Sequence, residues 1–299
     1  MDTSVANNGF CDLDTGVCGP LDGTDSERSA SKSAAVEIVY FTDPICSHCW
    51  ATEPAWRRLL FHYGHAIRAR HVYGGLLPSW DGFLDRGASI ATPADVAPHW
   101  QEVAERYGQP IDPRVWLEDP LPSSFPPSVA VHATRLLNPG LEDAFLRRIR
   151  QAVFLEARNI ARADVLRDCA SDVSLDPERF AALLATGAGE AGFESDRASV
   201  REQSVRGFPT WEVSGPQERI RLRGTQVFQT LEAAVCSALG IAPSTAIPSP
   251  SAALASYGTG TLREFAELLQ VREPEAAVAL EGAGGIRLTQ WLWTAPRRD

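Results

Sequence analysis

The apolar positions of the first hundred residues predict a β–α–β unit. Residues 34–42 (AAVEIVYFT) are β-branched and aromatic, which predicts a buried strand that ends at Asp43-Pro44. Apolar positions at helical spacing predict a helix over about 49–63, and residues 67–73 read as a second strand. Gly74-Gly75 closes the unit, which implies a parallel pair of strands with a right-handed crossover.

A long helical stretch follows, over about residues 86–205. Helix starts are expected where Pro follows a capping residue, at Thr92-Pro93 and at Asp176-Pro177. Residues 141–157 place apolar side chains along one helical face, and the Pro-rich segment 119–128 is expected to be a loop.

Strand patterns return in the last third of the chain. Residues 209–213 and 219–222 read as two strands, and Gly215-Pro216 between them marks a hairpin turn. An amphipathic helix is expected over about 226–239. The predicted elements therefore define an α/β domain over residues 34–85 and 206–241, with an all-helical insertion at 86–205.

The two ends of the chain differ from this domain. Residues 1–33 are rich in Asp, Asn, Gly and Ser and read as a mostly irregular extension, and residues 242–256 have the composition of a linker. Residues 257–299 predict two helices and then an apolar strand at 286–293, the outline of a small winged-helix-like module. Its formal charge is about −1, which favours a packing or protein-interaction module over a DNA-binding one.

Composition narrows the classes of partner. The 299 residues are 44% hydrophobic and 22% charged, which is typical of a globular protein with a sizeable core. A net charge of −10 disfavours nucleic acid and membrane surfaces as partners. The sequence begins at Met1 without a secretory signal, and it has no apolar stretch of about 18 residues. We therefore expect a cytoplasmic protein, although an exported protein trimmed of its signal would look similar.

The strongest chemical motif is Cys46-Ser-His-Cys49, which lies between a predicted strand and a predicted helix. Unpaired N–H groups at a helix N-terminus stabilise an anion, so we expect a lowered pKa for Cys46. His48 could add positive charge or a hydrogen bond to the thiolate. Cys46 is then the exposed nucleophile, and Cys49 is the resolving thiol in the helix.

Other interpretations of this motif are half of a zinc site and two inert cysteines. A structural zinc site needs a second ligand pair at suitable spacing, and only the distant Cys11 and Cys18 are candidates. We therefore expect redox chemistry with no metal at Cys46 and Cys49.

A second candidate element is Gly207-Phe208-Pro209-Thr210, just before a returning strand. A proline that leads a strand cannot donate to the sheet, and a cis X–Pro bond is rare and usually has a structural role. Pro209 is either a cis proline facing the CxxC motif or an ordinary trans proline in a loop, and the order of elements favours the cis form.

The ordered motifs VYFTDPICSHCWATEPAWRRLLFHYG, AVFLEARNI, RGFPTWEV and RGTQVFQTLEAAV resemble the DsbA family of thioredoxin-fold proteins. The similarity covers about residues 9–240 and is greatest to the cytoplasmic branch of FrnE-like oxidoreductases and SpxH-type adaptors of the ClpXP protease. The opening CDLDTGVCGP also resembles that branch. The resemblance implies a thioredoxin fold with an inserted helical domain, and it assigns Cys46 as nucleophile, Cys49 as resolving thiol and Pro209 as cis-proline.

Two positions depart from the family pattern. The residues between the cysteines are Ser-His where many relatives have Pro-His, which should change the redox potential. Phe208 precedes the proline where relatives commonly have Val or Thr, so substrate docking is expected to differ. Phe208 and Thr210 are the substrate-binding candidates here.

Several other residues have two interpretations each. Trp50 is either an apolar surface for unfolded substrates or a packing residue, and Glu53 is either a buried proton acceptor for Cys49 or a solvent-facing carboxylate. Asp43 is a candidate for orienting the loop before Cys46.

The remaining cysteines have their own interpretations. Cys11 and Cys18 are either a second redox or metal pair or surface thiols on a mobile tail. Cys169 and Cys236 lie in apolar helix patterns and are expected in the core.

These observations favour a thiol–disulfide oxidoreductase that acts on protein or small-molecule disulfides and needs no bound cofactor. The alternative is a binding protein, an adaptor that delivers a regulator to the ClpXP protease, with cysteines that are dispensable or sense redox state. A glutathione-dependent isomerase or transferase is disfavoured, because relatives with that activity carry Ser at the nucleophile position.

Overall fold

The computed structural model describes residues 9–11, 18–20 and 35–296. Strands β1 (Gly9–Cys11) and β2 (Cys18–Pro20) form an antiparallel pair in which Cys11 is the register partner of Cys18. The side chains of these two cysteines lie outside what the structure describes, and so do the rest of the N-terminal extension and residues 297–299. A second redox or metal pair at Cys11 and Cys18 therefore remains a prediction.

The predicted β–α–β unit is present. Strand β3 (Val36–Thr42) pairs in parallel with β4 (Ile67–Tyr73) along its full length. The helix expected between them begins earlier and is divided, into α1 (Ser47–Ala51) and α2 (Glu53–Tyr63). Pro54 has no N–H to continue the hydrogen bonding of α1, so the helix breaks at Thr52 and restarts with proline in its first turn.

The main sheet has four strands in the order β4-β3-β5-β6. Strand β5 (Thr210–Ser214) runs antiparallel to β3 and forms the predicted hairpin with β6 (Arg219–Arg223). Helices α2 and α10 (Phe228–Leu239) pack on one face of this sheet. That face presents alternate buried side chains of the central strands: Val36, Ile38, Tyr40, Trp211 and Val213.

Seven helices lie between β4 and β5, as expected for a helical insertion: α3 (Pro93–Tyr107), α4 (Val115–Glu118), α5 (Phe125–Leu137), α6 (Glu142–Leu155), α7 (Ala163–Asp172), α8 (Pro177–Ala185) and α9 (Glu190–Glu202). The starts of α3 and α8 are confirmed, each with its capping residue before a proline. The loop prediction for 119–128 is wrong from Phe125 onward, because the two following prolines fit the first turn of α5, where no N–H is needed.

The C-terminal segment contains α11 (Pro250–Tyr257), β7 (Thr259–Thr261), α12 (Leu262–Leu269), α13 (Glu273–Gly282), β8 (Ile286–Arg287) and β9 (Leu292–Thr294). The linker prediction is wrong beyond residue 249, since Ser249 caps α11 by accepting from the N–H of Ala252. The strand expected at 286–293 is two short strands in a sheet of order β7-β9-β8. The winged-helix assignment remains a prediction.

The main sheet with helices α2 and α10, the helical insertion and the C-terminal segment each have a buried apolar cluster. These three parts are in contact. The active-site end of the thioredoxin-like part shares a cluster with the helical insertion, through Ile45, Trp50 and Tyr73. Helix α12 of the C-terminal segment packs against α2, where Arg58 pairs with Glu267 at 3.1 Å. None of the described helices is long and apolar enough to cross a membrane.

Candidate active site

The two cysteines of the CxxC motif face each other at the start of α1. Their Sγ atoms lie 2.6 Å apart, and both cysteines are free thiols. Cys46 is the N-cap of the helix, and its Sγ accepts the backbone N–H of Cys49 at 3.2 Å. The two cysteines thus lie together at the helix start, as the sequence predicts. Because α1 has five residues, the helix contribution to the sulfur is essentially this one N–H rather than a long helix dipole.

The charge distribution between the sulfurs differs from the sequence expectation. Burial raises the pKa of Cys46, and the neighbouring Cys49 raises it further, while the N–H of Cys49 lowers it. Burial also acts to raise the pKa of Cys49, but the hydrogen bond with Cys46, the Arg150 guanidinium and the Thr42 hydroxyl outweigh it, and the pKa is lowered. Arg150 and Thr42 thus favour a thiolate at Cys49, the inner sulfur.

Cys46 is also less exposed than expected. Its exposed fraction is 4%, against 0% for Cys49, and both cysteines belong to the buried cluster between the sheet and helices α2 and α10. Since the two sulfurs are in contact, a proton that moves from Cys46 to Cys49 transfers the thiolate to the outer position, and the pair titrates as one unit. The assignment of Cys46 as nucleophile therefore depends on its access to the neighbouring pocket rather than on a low pKa of its own.

His48 does not contribute the positive charge that the sequence suggested. Burial lowers its pKa, and the nearby His99 and Arg106 lower it further. Its Nδ1 lies 3.2 Å from the hydroxyl oxygen of Thr225, and its ring is edge-on to His99. A neutral imidazole held by Thr225 can orient the loop between the cysteines but cannot supply a charge to the thiolate.

Asp43 fixes the loop that leads to Cys46, as expected. The carboxylate is fully buried; Oδ1 accepts the N–H of Ile45 at 3.1 Å, and Oδ2 accepts the N–H of Leu76 at 2.7 Å and the hydroxyl of Ser124 at 3.0 Å. These donors come from the loop itself, from the segment after β4 and from the helical insertion. Asp43 therefore joins three parts of the chain directly beneath the site.

The pKa of Asp43 is raised from 3.8 to about 6, mainly by burial, with the hydrogen bonds and Arg150 acting in the opposite direction. A carboxyl whose pKa is higher in the folded than in the unfolded state stabilises the fold at low pH. That contribution is complete below about pH 4 and is lost as the pH rises through about 6.

We expect Asp43→Asn to be less stable than the wild type by about 3 kcal/mol at pH 4, because the amide NH₂ faces a backbone N–H that then has no acceptor. The deficit should shrink by about 2 kcal/mol by pH 7, as Asp43 ionises in the wild type. Urea unfolding of both proteins at several pH values measures this difference, and exposed Asp81→Asn is the control. A deficit that grows with pH would contradict the assignment.

The segment before β5 lies at the site as predicted. The Phe208–Pro209 peptide bond is cis. The half-buried ring of Phe208 lies over Gly74, where a Cβ would be 1.8 Å from its Cζ atom, so glycine at 74 makes room for the bulky residue. Thr210, in contrast, is 3% exposed and its hydroxyl donates to the carbonyl of Gly207 at 2.8 Å. The substrate-binding prediction for the Thr210 side chain is therefore wrong, since that side chain stabilises the turn.

An apolar pocket of about 240 Å³ borders Cys46. Phe208 lies on its rim, and the indole N–H of Trp116 is buried there without a hydrogen-bond partner among the described residues. Most of the wall is apolar and comes from the loop after β4 and from the helical insertion: Leu76, Leu77, Trp80, Phe83, Ile90, Val96, Trp100 and Trp116. Such a pocket fits an apolar group next to a sulfur.

Trp50 does not form part of this pocket. It is completely buried, its ring is stacked on Phe154 at 5.4 Å, and its indole N–H donates to the carbonyl of Pro110 at 2.9 Å. Its prediction as a substrate-binding surface is therefore wrong, and the packing alternative is confirmed. Trp50 holds the active-site helix against the helical insertion.

Two buried charged residues, Glu53 and Arg150, lie near the cysteines, and the sequence analysis identified only Glu53. Glu53 is buried, so its solvent-facing alternative is wrong; its carboxylate lies 3.5 Å from Arg147 and 3.5 Å from Arg150. Arg150 was missed. It is 1% exposed and donates to the hydroxyl of Thr42 at 2.5 Å. The available signal was its helical phase, since Leu146 and Val153 place residue 150 on the apolar face of α6.

The isolated cysteines are in the core as predicted. Cys169 is completely buried and Cys236 is 4% exposed. Burial raises the pKa of Cys169 to about 11, which is typical of an unreactive structural thiol.

Comparison with known proteins agrees with this geometry. A family model described as thioredoxin matches residues 40–232. The ClpXP adapter protein SpxH of Halalkalibacterium halodurans is 33% identical over 205 residues, which are 69% of this chain and 67% of that protein. SpxH of Shouchella clausii is 29% identical over 275 residues, 91% of this chain and 89% of that protein.

Solved structures give the same class. The cytosolic disulfide reductase DsbM from Pseudomonas aeruginosa superimposes with a TM-score of 0.51 at 26% identity, covering 62% of this chain and 89% of that one. A probable DsbA oxidoreductase from Streptomyces coelicolor has a TM-score of 0.55 at 16% identity, with 72% and 94% covered. The fold and the CxxC placement thus define a thioredoxin-fold protein of the DsbA type with a helical insertion. The chain belongs to the SpxH branch of this family.

Proposed function

We propose that the protein is a thiol–disulfide oxidoreductase that works through Cys46 and Cys49. The observation that carries the proposal is the contact of the two free thiols, 2.6 Å apart, with Cys46 bordering an apolar pocket. The DsbM reductase, which shares the fold, supports the same chemistry. The reaction needs no cofactor, because both electrons come from the two thiols.

In the reductive direction, the Cys46 thiolate attacks one sulfur of a substrate disulfide. A mixed disulfide forms, and the other substrate sulfur leaves as a thiolate. Cys49, as thiolate, then attacks the Cys46 sulfur, which forms the Cys46–Cys49 disulfide and releases the second substrate sulfur. Two electrons and the two thiol protons pass to the substrate, and two equivalents of a small-molecule thiol such as glutathione restore the dithiol. The oxidative direction is the reverse.

The test is insulin reduction by the full-length chain with a thiol reductant. We expect turnover well above the uncatalysed rate, because the paired thiols and the pocket act together. A rate equal to that of the reductant alone, with the folded chain present, would contradict the proposal.

The pocket should bind the residue next to the substrate cysteine. Leu76 is 38% exposed and lines the pocket. We expect Leu76→Ser to raise KM about tenfold for a disulfide flanked by apolar residues, with little change for a small hydrophilic disulfide, since burying a leucine-sized surface contributes about 1.5 kcal/mol. Steady-state kinetics with both substrates measures this effect.

The control is Leu84→Ser, because Leu84 is 56% exposed and is not a pocket residue. An equal rise in KM for both substrates, or for both variants, would exclude the pocket as the binding site.

A second candidate function is an adaptor that delivers a regulator to the ClpXP protease. It is favoured by the SpxH relatives, one of which matches 91% of this chain. Cytoplasmic location follows as part of this candidate. The test is retention of the chain on immobilised ClpX with and without Spx-type regulator, comparing the wild type with a Cys46→Ser/Cys49→Ser variant. Binding that persists in the variant supports an adaptor independent of redox chemistry.

A further inference from the structure

A row of buried charges runs from the CxxC motif to the C-terminal segment. Arg150 is the member that contacts Thr42 and Asp43, the residues that lead to the CxxC motif. It is 1% exposed, one of its Nη atoms donates to the Thr42 hydroxyl at 2.5 Å, and the same Nη lies 3.5 Å from the carbonyl of Asp43. Its Nε has no hydrogen-bond partner among the described residues. A buried guanidinium with an unpaired donor exerts a strong field on its surroundings.

Glu53 is the next member, and it is shared between two cations. One carboxylate oxygen lies 3.5 Å from Arg150, and the other lies 3.5 Å from Arg147. Both distances exceed those of a good hydrogen bond, and Oε2 has no hydrogen-bond partner among the described residues. Glu53 therefore has a choice of partner, and the strength of its pairing with Arg150 depends on what holds Arg147.

Arg147 is held mainly by the C-terminal segment. Glu264 of α12 is completely buried, and its Oε2 lies 2.7 Å from Arg147 and 2.6 Å from Arg57. Its Oε1 accepts from Arg147 at 3.0 Å and from the amide of Gln109 at 3.0 Å. The Arg147–Glu264 contacts are shorter than the Arg147–Glu53 contact, so Arg147 pairs mainly with Glu264.

The charges are not packed solidly together. A cavity of about 110 Å³ is bordered by Glu53, Arg57, Arg147 and Arg150. The side chains in this row therefore have room to adjust when the charge at the sulfurs changes.

We propose that the row Arg150–Glu53–Arg147–Glu264 sets the equilibrium between the Cys46–Cys49 dithiol and its disulfide, and that the C-terminal segment takes part in setting it through Glu264. The inference rests on the proposed redox function. It adds Arg150, Glu53 and Arg147 as positioning residues and Glu264 as a remote one. Arg150 favours the reduced state by stabilising the Cys49 thiolate. Glu53 opposes Arg150, and Glu264 strengthens that opposition by drawing Arg147 away from Glu53.

The signs of the expected effects alternate along the row. Removing the cation in Arg150→Met should make the dithiol less favourable about tenfold in equilibrium with glutathione, which for a two-electron couple is about 30 mV more negative. Removing an anion in Glu53→Gln or Glu264→Gln should favour the dithiol, severalfold for each. A role limited to fold stability would not produce opposite signs.

The experiment equilibrates full-length wild type and variants with mixtures of reduced and oxidised glutathione and counts free thiols by alkylation and mass spectrometry. Glu267→Gln is the matched control, because Glu267 lies on the same helix but pairs with Arg58 and Arg263 outside the row. Its equilibrium should equal that of the wild type. Glu53→Gln keeps the side-chain shape and serves if Glu264→Gln does not fold.

Shifts of the same sign in Arg150→Met and Glu53→Gln, or no shift in either, overturn the inference while an active wild type leaves the redox function intact. A wild type that never forms the Cys46–Cys49 disulfide instead overturns the proposed function itself. Alternating signs with an unchanged control support both.

Discussion

Replacing Cys46 with serine is expected to remove disulfide reduction entirely, to the rate of the reductant alone. A serine hydroxyl is not ionised near neutral pH and cannot form the mixed disulfide. Because Cys46 is the sulfur that borders the pocket, Cys49 cannot take over its role from the completely buried position. Insulin reduction with wild type and variant at equal concentration measures the effect.

The companion variant Cys49→Ser should accumulate mixed disulfides at Cys46, since the resolving thiolate is absent. Non-reducing electrophoresis and mass spectrometry detect these adducts. Cys236→Ser is the control, because Cys236 is buried beside the hydroxyl of Tyr63, at 3.6 Å, and a serine there has a hydrogen-bond partner. Mixed disulfides at Cys49 in the Cys46→Ser variant, or disulfide reduction by that variant, would reverse or remove the assignment.

The largest loss of stability is expected for Trp50→Ala. The change deletes a completely buried indole that stacks on Phe154 and donates to Pro110, and it leaves a cavity between the active-site helix and the insertion. Deletions of this kind cost about 3 to 5 kcal/mol in the free energy of unfolding. Urea denaturation followed by circular dichroism measures the loss.

Trp50→Phe separates packing from hydrogen bonding. It keeps most of the ring contact and loses the N–H donor, so we expect a loss of about 1 to 2 kcal/mol. A change in KM for protein substrates without loss of stability in Trp50→Ala would contradict the packing role. It would identify Trp50 as a substrate-binding residue.

The fold was predictable where local signals and packing agree. Strand β3 is buried along most of its length, with Glu37 exposed, and its β-branched and aromatic residues identify it as a strand. Thr92-Pro93 and Asp176-Pro177 are helix starts whose physical basis is local. The same signal occurs at Ser249-Pro250, but the surrounding Ser, Ala and Pro have the composition of a linker. The break at Thr52 depends on a single proline inside an apolar pattern.

The charges at the site were much less predictable than its sulfur atoms. The spacing of Cys46 and Cys49 fixes their contact, because two residues in a helical turn bring the side chains together. Arg150 follows Arg147 and Arg148 in the segment LRRIRQ, yet it is buried and donates to Thr42 of β3. Its partners come from β3, α2 and, through Arg147, α12, and no local pattern encodes contacts between such distant segments.

The pKa of Cys46 also depends on contacts that no local sequence pattern encodes. A helix N-terminus predicts a stabilised thiolate, but burial among the side chains of the sheet, α2 and α10 raises the pKa of Cys46. Long-range burial thus outweighs the local helix effect, and the lowered pKa falls on Cys49.

The most direct test of thiol–disulfide exchange at Cys46 and Cys49 is the reduction potential of this couple in the full-length chain. It is measured by equilibration with dithiol and glutathione buffers and alkylation of the remaining thiols. We expect one transition in which these two thiols are lost together, at a potential between about −270 and −120 mV, the range of thioredoxin-fold oxidoreductases. No transition across that range, or a disulfide that involves another cysteine, would contradict redox chemistry at Cys46 and Cys49.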